Sequence, residues 1–507
     1  MLNFVDMLIK IQNDMLKKLF MLLMLSGAVL TAQSQIKRPK LVVGLVVDQM
    51  RWDYLYYYYN EFGEGGLKRL VNEGFSCENT MINYVPTVTA IGHSSIYTGS
   101  VPALTGITGN NFYIDGRPTY CCEDSTVRSV GSRSKEGQMS PRNLLASTIG
   151  DELKMATDYK AKVIGIALKD RAAILPVGHT ADAAYWWDTS AGHYVSSTFY
   201  MNQLPQWVQD FNKINRQKPG TDVKTSTQGV TLTFKMAEEA LEKEQMGQDD
   251  ITDLLAVSIS STDAIGHTYG TRGKENYEVY MQLDKDLAHF LSLLDRKIGK
   301  NNYLLFLSAD HGAAHNANLL KHHRISAGGY SISSQSPKLN EYLARQYGVK
   351  NLIVGTNSNR VFLNHAKAAQ AGIALADIKR TAIEWLKQDE RVMYAVDFSN
   401  AEYESMPQLI KERIINGYNA HRSGDIYVVT LPEYVAESVT PQYKGTNHSM
   451  WNPYDSHIPL VFMGQGIEHG NTVVPTRIVD IAPTVCAMLH IQMPNSCVGD
   501  AIPQVVK

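Results

Sequence analysis

Residues 308–312 read Ser-Ala-Asp-His-Gly, and the apolar run Tyr303-Leu304-Leu305-Phe306-Leu307 stands directly before them. A carboxylate beside an imidazole is costly in a core and useful on a metal. The run predicts a buried strand, which puts Asp310 and His311 at its carboxyl end, where open α/β sheets hold their ligands. On its own, Asp-His-Gly also fits an ordinary loop. Residues of the same kind recur at other strand ends, however. Asp48 follows the valine-rich run Leu41–Val47, and Asp263 and His267 follow the run 254–260 at a spacing that one helical turn brings to a single face. His448 stands in the small-residue loop Gly445-Thr446-Asn447-His448-Ser449. Three carboxylates and three imidazoles make a mixed oxygen and nitrogen set that suits Zn²⁺. Two such ions ~4 Å apart would clamp the attacking and leaving oxygens of an in-line displacement. Three aspartate charges do not cancel two divalent ions, so the site would attract an anion.

A nucleophile candidate is Thr89, in Tyr84-Val85-Pro86-Thr87-Val88-Thr89-Ala90-Ile91-Gly92-His93. A hydroxyl at a helix N-terminus feels the helix dipole, and a bound metal would favour its alkoxide. Thr87 is the rival, and spacing does not separate the two. Thr89 as a plain N-cap is the other reading of the same segment.

These residues need elements to position them. Leu41–Val47 is continuous and apolar, as a parallel strand buried on both faces requires. Lys162–Leu168 and Leu254–Ser260 read the same way. Residues 61–74 predict a helix stopped at Gly74, and small residues after Thr89 predict a closely packed helix. Residues 275–298 carry an apolar helical period through Tyr280, Leu283, Leu287, Phe290 and Leu294. Alternating strands and helices imply an α/β fold with a central, mostly parallel sheet. Between His311 and about Asn447 the pattern loosens, with a strand near 351–355 and a helix near 374–387, which reads as an inserted cap region. A further strand, 458–463, and a closing helix from Asp480 complete the chain.

A chain of 507 residues has room for one large domain with insertions. With a net charge of −2 and no basic stripe, nucleic acid is not expected as a partner. A charged fraction of 19% beside 44% hydrophobic residues fits a folded globular protein rather than a disordered one. The N-terminus differs: Lys17-Lys18, the apolar run Leu19–Leu25 and the small residues up to Gln35 have the form of a signal peptide over 1–35, with cleavage near Ala32–Gln35 and Met15 as a possible start. That run is too short for a stable membrane span, so a periplasmic or secreted protein is expected. Residues 36–507 then form the catalytic domain, with the cap within about 313–440. Of Cys77, Cys121, Cys122, Cys486 and Cys497, the pair Cys486–Cys497 could form a local disulfide. The run Tyr54–Tyr59 reads as a helix packing its rings on the core, or as a stacking surface for sugar or base.

The order Asp48, Thr89, Asp263-x-x-x-His267, Asp310-His311-Gly312, His448 resembles the alkaline phosphatase superfamily, and within it the PafA-type alkaline phosphatases of bacteria, from about Lys40 to Asp480. The resemblance implies an alkaline-phosphatase-like α/β sandwich, a phosphomonoesterase and two zinc ions. Asp263, His267 and His448 would hold one zinc, and Asp48, Asp310, His311 and the nucleophile Thr89 the other. His457 rivals His448 as the last ligand, and Ser449 stands where relatives usually carry glycine. The resemblance also assigns Lys169, Arg171 and Asn110 to the non-bridging oxygens of phosphate. A monoester dianion has three exposed oxygens, which a cation pair and an amide can satisfy. Diesterases of this fold keep the threonine and asparagine and lack the cation pair. The implied product is a broad-specificity phosphatase passing through phosphothreonine, expected as a monomer acting on small phosphate monoesters. A nucleotide phosphodiesterase or pyrophosphatase of the same superfamily is the main alternative, and a secreted binding protein without catalysis the alternative of another class. A sulfatase is excluded, because Cys77 is followed by Glu78-Asn79-Thr80-Met81 rather than x-Pro-x-Arg.

Overall fold

The computed structural model describes residues 2–30 and 38–506. Leu2–Leu30 is one helix and belongs to a unit separate from the compact unit Pro39–Lys507. Among the described residues no helix is long and apolar enough to cross a membrane. The expected cleavage region Ala32–Gln35 lies outside the described residues.

The centre of the compact unit is a ten-stranded sheet. Its middle consists of β1 (Leu41–Val47), β2 (Val163–Ala167), β3 (Asp253–Ile259), β4 (Tyr303–Ser308) and β5 (Leu460–Gly464), in the spatial order β5-β4-β1-β3-β2. The four strands β4, β1, β3 and β2 run parallel, and every residue in them is buried. That double-sided burial is why their sequences are unbroken apolar runs rather than alternating ones. Val47 pairs with Ile259, Val46 with Ser308, and Ser258 with Ala167. The four carboxyl ends therefore lie level, and a slip of one residue would move any of them by about 3.3 Å.

Two sequence expectations shift. The helix expected over 61–74 starts only at Leu67, because the Asp284 carboxylate accepts from the backbone N–H of Gly63 and Leu67 and holds the glycine-rich stretch between them as a turn. The strand expected over 458–463 is split at Pro459, which has no N–H to donate. His457–Ile458 pairs with Thr80–Met81, whereas β5 joins β4 antiparallel. In the tyrosine run, Tyr54 and Tyr58 are buried and their rings pack on Tyr280, while Tyr56 and Tyr57 are exposed.

Residues 353–430 build a second, four-stranded sheet of Ile353–Asn357, Arg360–Leu363, Ile426–Thr430 and Val392–Asp397. It carries a hydrophobic cluster of its own, including Leu339, Val361, Ile378 and Val428.

Candidate active site

The level strand ends deliver the polar residues. Asp48 directly follows β1, and the chain then turns sharply through Gln49, whose φ is +64°. A left-handed backbone costs a non-glycine residue about 1–2 kcal/mol and persists only where its surroundings enforce it. Here two carboxylates do so: Gln49 N donates to Asp310 Oδ1 at 3.1 Å and Gln49 Nε2 to Asp263 Oδ1 at 2.6 Å. Asp263 and His267 lie on the helix α2 (Ser261–Tyr269) that follows β3, with His267 Nε2 3.2 Å from Asp263 Oδ1. His448 Nε2 reaches the same oxygen at 3.7 Å. Ligand atoms of Asp263, His267 and His448, and equally of Asp48, Asp263 and His311, lie within 4.8 Å of one another.

The three imidazoles share one device. Nδ1 of His267 lies 3.0 Å from Thr446 O, Nδ1 of His311 3.0 Å from Gly312 O, and Nδ1 of His448 2.6 Å from Thr87 O. A carbonyl only accepts, so each Nδ1 carries a proton and, in the neutral ring, Nε2 presents a lone pair, the form that binds a metal. Burial opposes charge on His267, but Asp263 beside it raises that imidazole overall. Asp48 Oδ1, Asp310 Oδ2 and His311 Nε2 are buried without a hydrogen-bond partner among the described residues. His311 Nε2 lies 3.6 Å from Asp48 Oδ1 and 3.5 Å from Asp310 Oδ2. Buried polar atoms left unpaired cost about 1–3 kcal/mol each. Three of them facing one another fit a divalent cation, and the oxygen and nitrogen donor set fits zinc.

The electrostatics agree. Burial, reinforced by Asp263 and Asp310, pushes the Asp48 carboxyl well above the usual range. Burial also opposes ionisation of Asp263, yet His267 and Lys169 hold that carboxyl well below the usual range. Burial lowers both His311 and His448, the latter further through His311 and His267, so both stay neutral. Their rings stack 3.6 Å apart.

Thr89 is the first residue of the helix α1 (Thr89–Thr98), all ten residues of which are buried. The N-cap is Val88, so Thr89 is not the cap. The Thr87 hydroxyl donates to Met450 O at 3.0 Å and is thereby occupied. α1 is seated tightly: a Cβ on Gly92 would lie 2.3 Å from Asp310 O. His93, one turn beyond Thr89, places Nδ1 2.9 Å from Thr89 O and 3.3 Å from Asp310 Oδ2, with Nε2 2.8 Å from Ser258 Oγ.

Lys169 and Arg171 follow β2, where Lys169 is the N-cap of a short helix, Asp170–Ile174. Lys169 Nζ donates to Asp48 Oδ2 at 2.5 Å and Asp263 Oδ2 at 2.6 Å. Arg171 Nη1 donates to Tyr120 Oη at 3.1 Å, and that hydroxyl donates to Asp170 Oδ1 at 2.6 Å. Asn110 Oδ1 accepts from Ala90 N at 3.0 Å, tying it to the start of α1. His457 is elsewhere: its Nε2 meets Glu78 O at 2.9 Å and its ring stacks on Trp52. Ser449, beside His448, has φ +90°, the backbone that makes glycine the easy residue there. Gln49, His93 and Tyr120 escaped sequence reasoning, since their only signal is adjacency to a ligand or to a quoted motif. Cys486 and Cys497, expected as a disulfide, are both free thiols. Cys497 turns in on Gly99 and Gly499 O instead.

With this geometry, comparison with known proteins is informative. Residues 42–451 match the family described as type I phosphodiesterase / nucleotide pyrophosphatase, and the chain belongs to that family. Alkaline phosphatase PhoV of Synechococcus elongatus is 45% identical over 93% of this chain and 94% of its own. Alkaline phosphatase PafA of Elizabethkingia meningoseptica is 42% identical over 93% of this chain and 95% of its own. The crystal structure of alkaline phosphatase PafA matches with a TM-score of 0.89 over 93% of this chain and 99% of that one. A solved variant of PafA combines Thr→Ser, Asn→Ala, Lys→Ala and Arg→Ala substitutions. Within its family the chain is of the PafA alkaline phosphatase type.

Proposed function

We propose that this chain is an exported hydrolase of phosphate monoesters that passes through a phosphothreonine at Thr89. Two zinc ions would be held by Asp263, His267 and His448 and by Asp48, Asp310, His311 and Thr89. The observation that supports this reading is the gathering of unpartnered atoms of Asp48, Asp310 and His311 with Lys169 at level strand ends, with Asn110 tied to the start of α1 beside Thr89. The ions, when bound, would withdraw charge from the attacking and leaving oxygens.

The residues of the chain do the rest. Thr89 Oγ attacks phosphorus, a bond to Thr89 forms as the bond to the alcohol breaks, and the proton of the threonine hydroxyl ends on the departing alcohol oxygen. Water then attacks the phosphothreonine from the vacated side, releasing inorganic phosphate and restoring the hydroxyl. Lys169 and Arg171 supply two positive charges for a dianion, more than a diester would need. With Oδ1 of Asn110 held by Ala90 N, Nδ2 makes no hydrogen bond among the described residues and is available to a non-bridging oxygen. The substituted Thr and Asn of the PafA variant, and its Lys and Arg, have the same separations as Thr89 and Asn110 and as Lys169 and Arg171. Lys17-Lys18 and the apolar run after them support export, the second sheet supports the reading of a cap insertion, and a monomer suffices for the site.

The test is the zinc-loaded protein on p-nitrophenyl phosphate and bis-p-nitrophenyl phosphate, with Thr89→Ala alongside. Monoester preference that drops by at least about 10³-fold in the variant is expected. A preference for the diester would transfer the reading to a nucleotide phosphodiesterase, and full activity of the variant would remove Thr89 as nucleophile.

A further inference from the structure

Arg360 is among the largest fully buried side chains, and it lies on the second sheet rather than on the strand ends of the site. Burying a guanidinium without a carboxylate is expensive, so its four hydrogen bonds must compensate. Two of them aim it: Nε donates to Asn357 O at 3.1 Å and Nη2 to Asn357 Oδ1 at 2.9 Å. The other two cross to a different element. Nη1 donates to Thr108 O at 2.6 Å and Nη2 to Asn111 O at 3.1 Å. Those carbonyls flank Gly109-Asn110, and a Cβ on Gly109 would lie 2.5 Å from Nη2, so only glycine lets the guanidinium come so close. Arg422 adds a third tie from the same region, with Nη1 2.8 Å from Gly106 O. Burial pushes Arg360 down only to about 10, which leaves it cationic at neutral pH.

We propose that Arg360 is a positioning residue for Asn110: from the second sheet it clamps the backbone on both sides of Asn110 and so sets where that amide meets the phosphate. This rests on the assignment of Asn110 to a phosphate oxygen made above. An apolar side chain could fill the same volume, but it could not hold the carbonyls of Thr108 and Asn111. Asn110 would then be tied only through its own carbonyl, which accepts from Cys121 N, and through its Oδ1, which accepts from Ala90 N. The second sheet thereby becomes part of the substrate site without contributing a group that touches substrate.

A double-mutant cycle separates positioning from simple docking of the second sheet. Arg360→Met, Asn110→Ala and the double variant are compared, zinc-loaded, by kcat/KM on p-nitrophenyl phosphate and by calorimetric affinity for inorganic phosphate. Arg360→Met is expected to lose about 10- to 100-fold in kcat/KM and to weaken phosphate binding. In the Asn110→Ala background the same change should cost less than about twofold. Arg360→Lys, which keeps a charged donor, should recover part of the loss. An equal loss in both backgrounds would overturn the proposal and leave Arg360 as a structural tie. If Asn110→Ala alone changed neither readout, the fault would lie in the role given to Asn110. Should Arg360→Met fail to fold, Asn357→Ala removes one of the two bonds that aim the guanidinium, the one to Asn357 Oδ1, and leaves the bond to the Asn357 carbonyl. It should give a smaller loss that again vanishes without Asn110, and no loss in the native background would overturn the clamp.

Discussion

His267, His311 and His448 each commit Nδ1 to a backbone carbonyl, so the tautomer that each ring takes when neutral is set by the main chain. The same logic of fixing a group through a neighbour extends to Arg171. Its Nη1 rests on the Tyr120 hydroxyl, and Tyr120 in turn donates to Asp170. Tyr120→Phe removes both of these hydrogen bonds to charged groups, each worth about 1.5–3 kcal/mol, without opening a cavity. The expected outcome is a loss of about tenfold in kcat/KM on a monoester, together with a lower unfolding temperature. A monoester rate equal to that of the native protein would show that Arg171 needs no such support. Ser449 is the counter-example of a residue whose local cost stays in place: at φ +90° it occupies backbone that favours glycine, directly beside His448.

Elements set the distances that residues then refine. α1 brings Thr89 to the site because Gly92 allows its backbone to come down on Asp310. In Gly92→Ala the new methyl would stand 2.3 Å from Asp310 O, and neither partner is a flexible side-chain end. Overpacking of this kind typically costs about 1–3 kcal/mol. Because the displacement lies between the proposed nucleophile and a proposed metal ligand, activity should fall by at least about 100-fold, beyond what the lost stability explains. Chemical denaturation beside steady-state kinetics checks this, and native activity would mean that α1 is not held by that contact. Pro459 acts at the same scale in the opposite sense. By interrupting one apolar run it frees His457–Ile458 to pair with Thr80–Met81, and it takes His457 to Glu78 and Trp52.

Across the molecule, Asp48, Asp263, Asp310 and His311 bring together three elements of the sheet, and His448 adds a loop from far along the chain. Burial and mutual repulsion raise Asp48 even with the Lys169 ammonium against it, so a divalent cation would relieve the site further. A ligand at about a thousand times its dissociation constant adds about 4 kcal/mol to stability. Chelation should therefore lower the unfolding temperature measurably, and zinc should restore it in a titration read by scanning calorimetry. An unfolding temperature indifferent to both would sink the assignment of the unpartnered atoms to ions.

The sequence by itself determined the parts and their order. Unbroken apolar runs dictated β1 to β4, and the polar residues after each run marked Asp48, Lys169, Asp263, Asp310 and His311, because buried parallel strands tolerate such residues only at their ends. The four-residue spacing of Asp263 and His267 is likewise local and legible. Choices that depended on distant partners were decided only by the tertiary structure. Thr87 is distinguished from Thr89 by Met450 O, 363 residues away, and His448 from His457 by the loop that carries it to Asp263. The helix start at Leu67 depended on Asp284, and the place of Asn110 depended on Arg360, a cation that reads in the sequence as an ordinary strand residue. Hydrophobic periodicity records which face an element buries, whereas a hydrogen bond across hundreds of residues leaves no period to read.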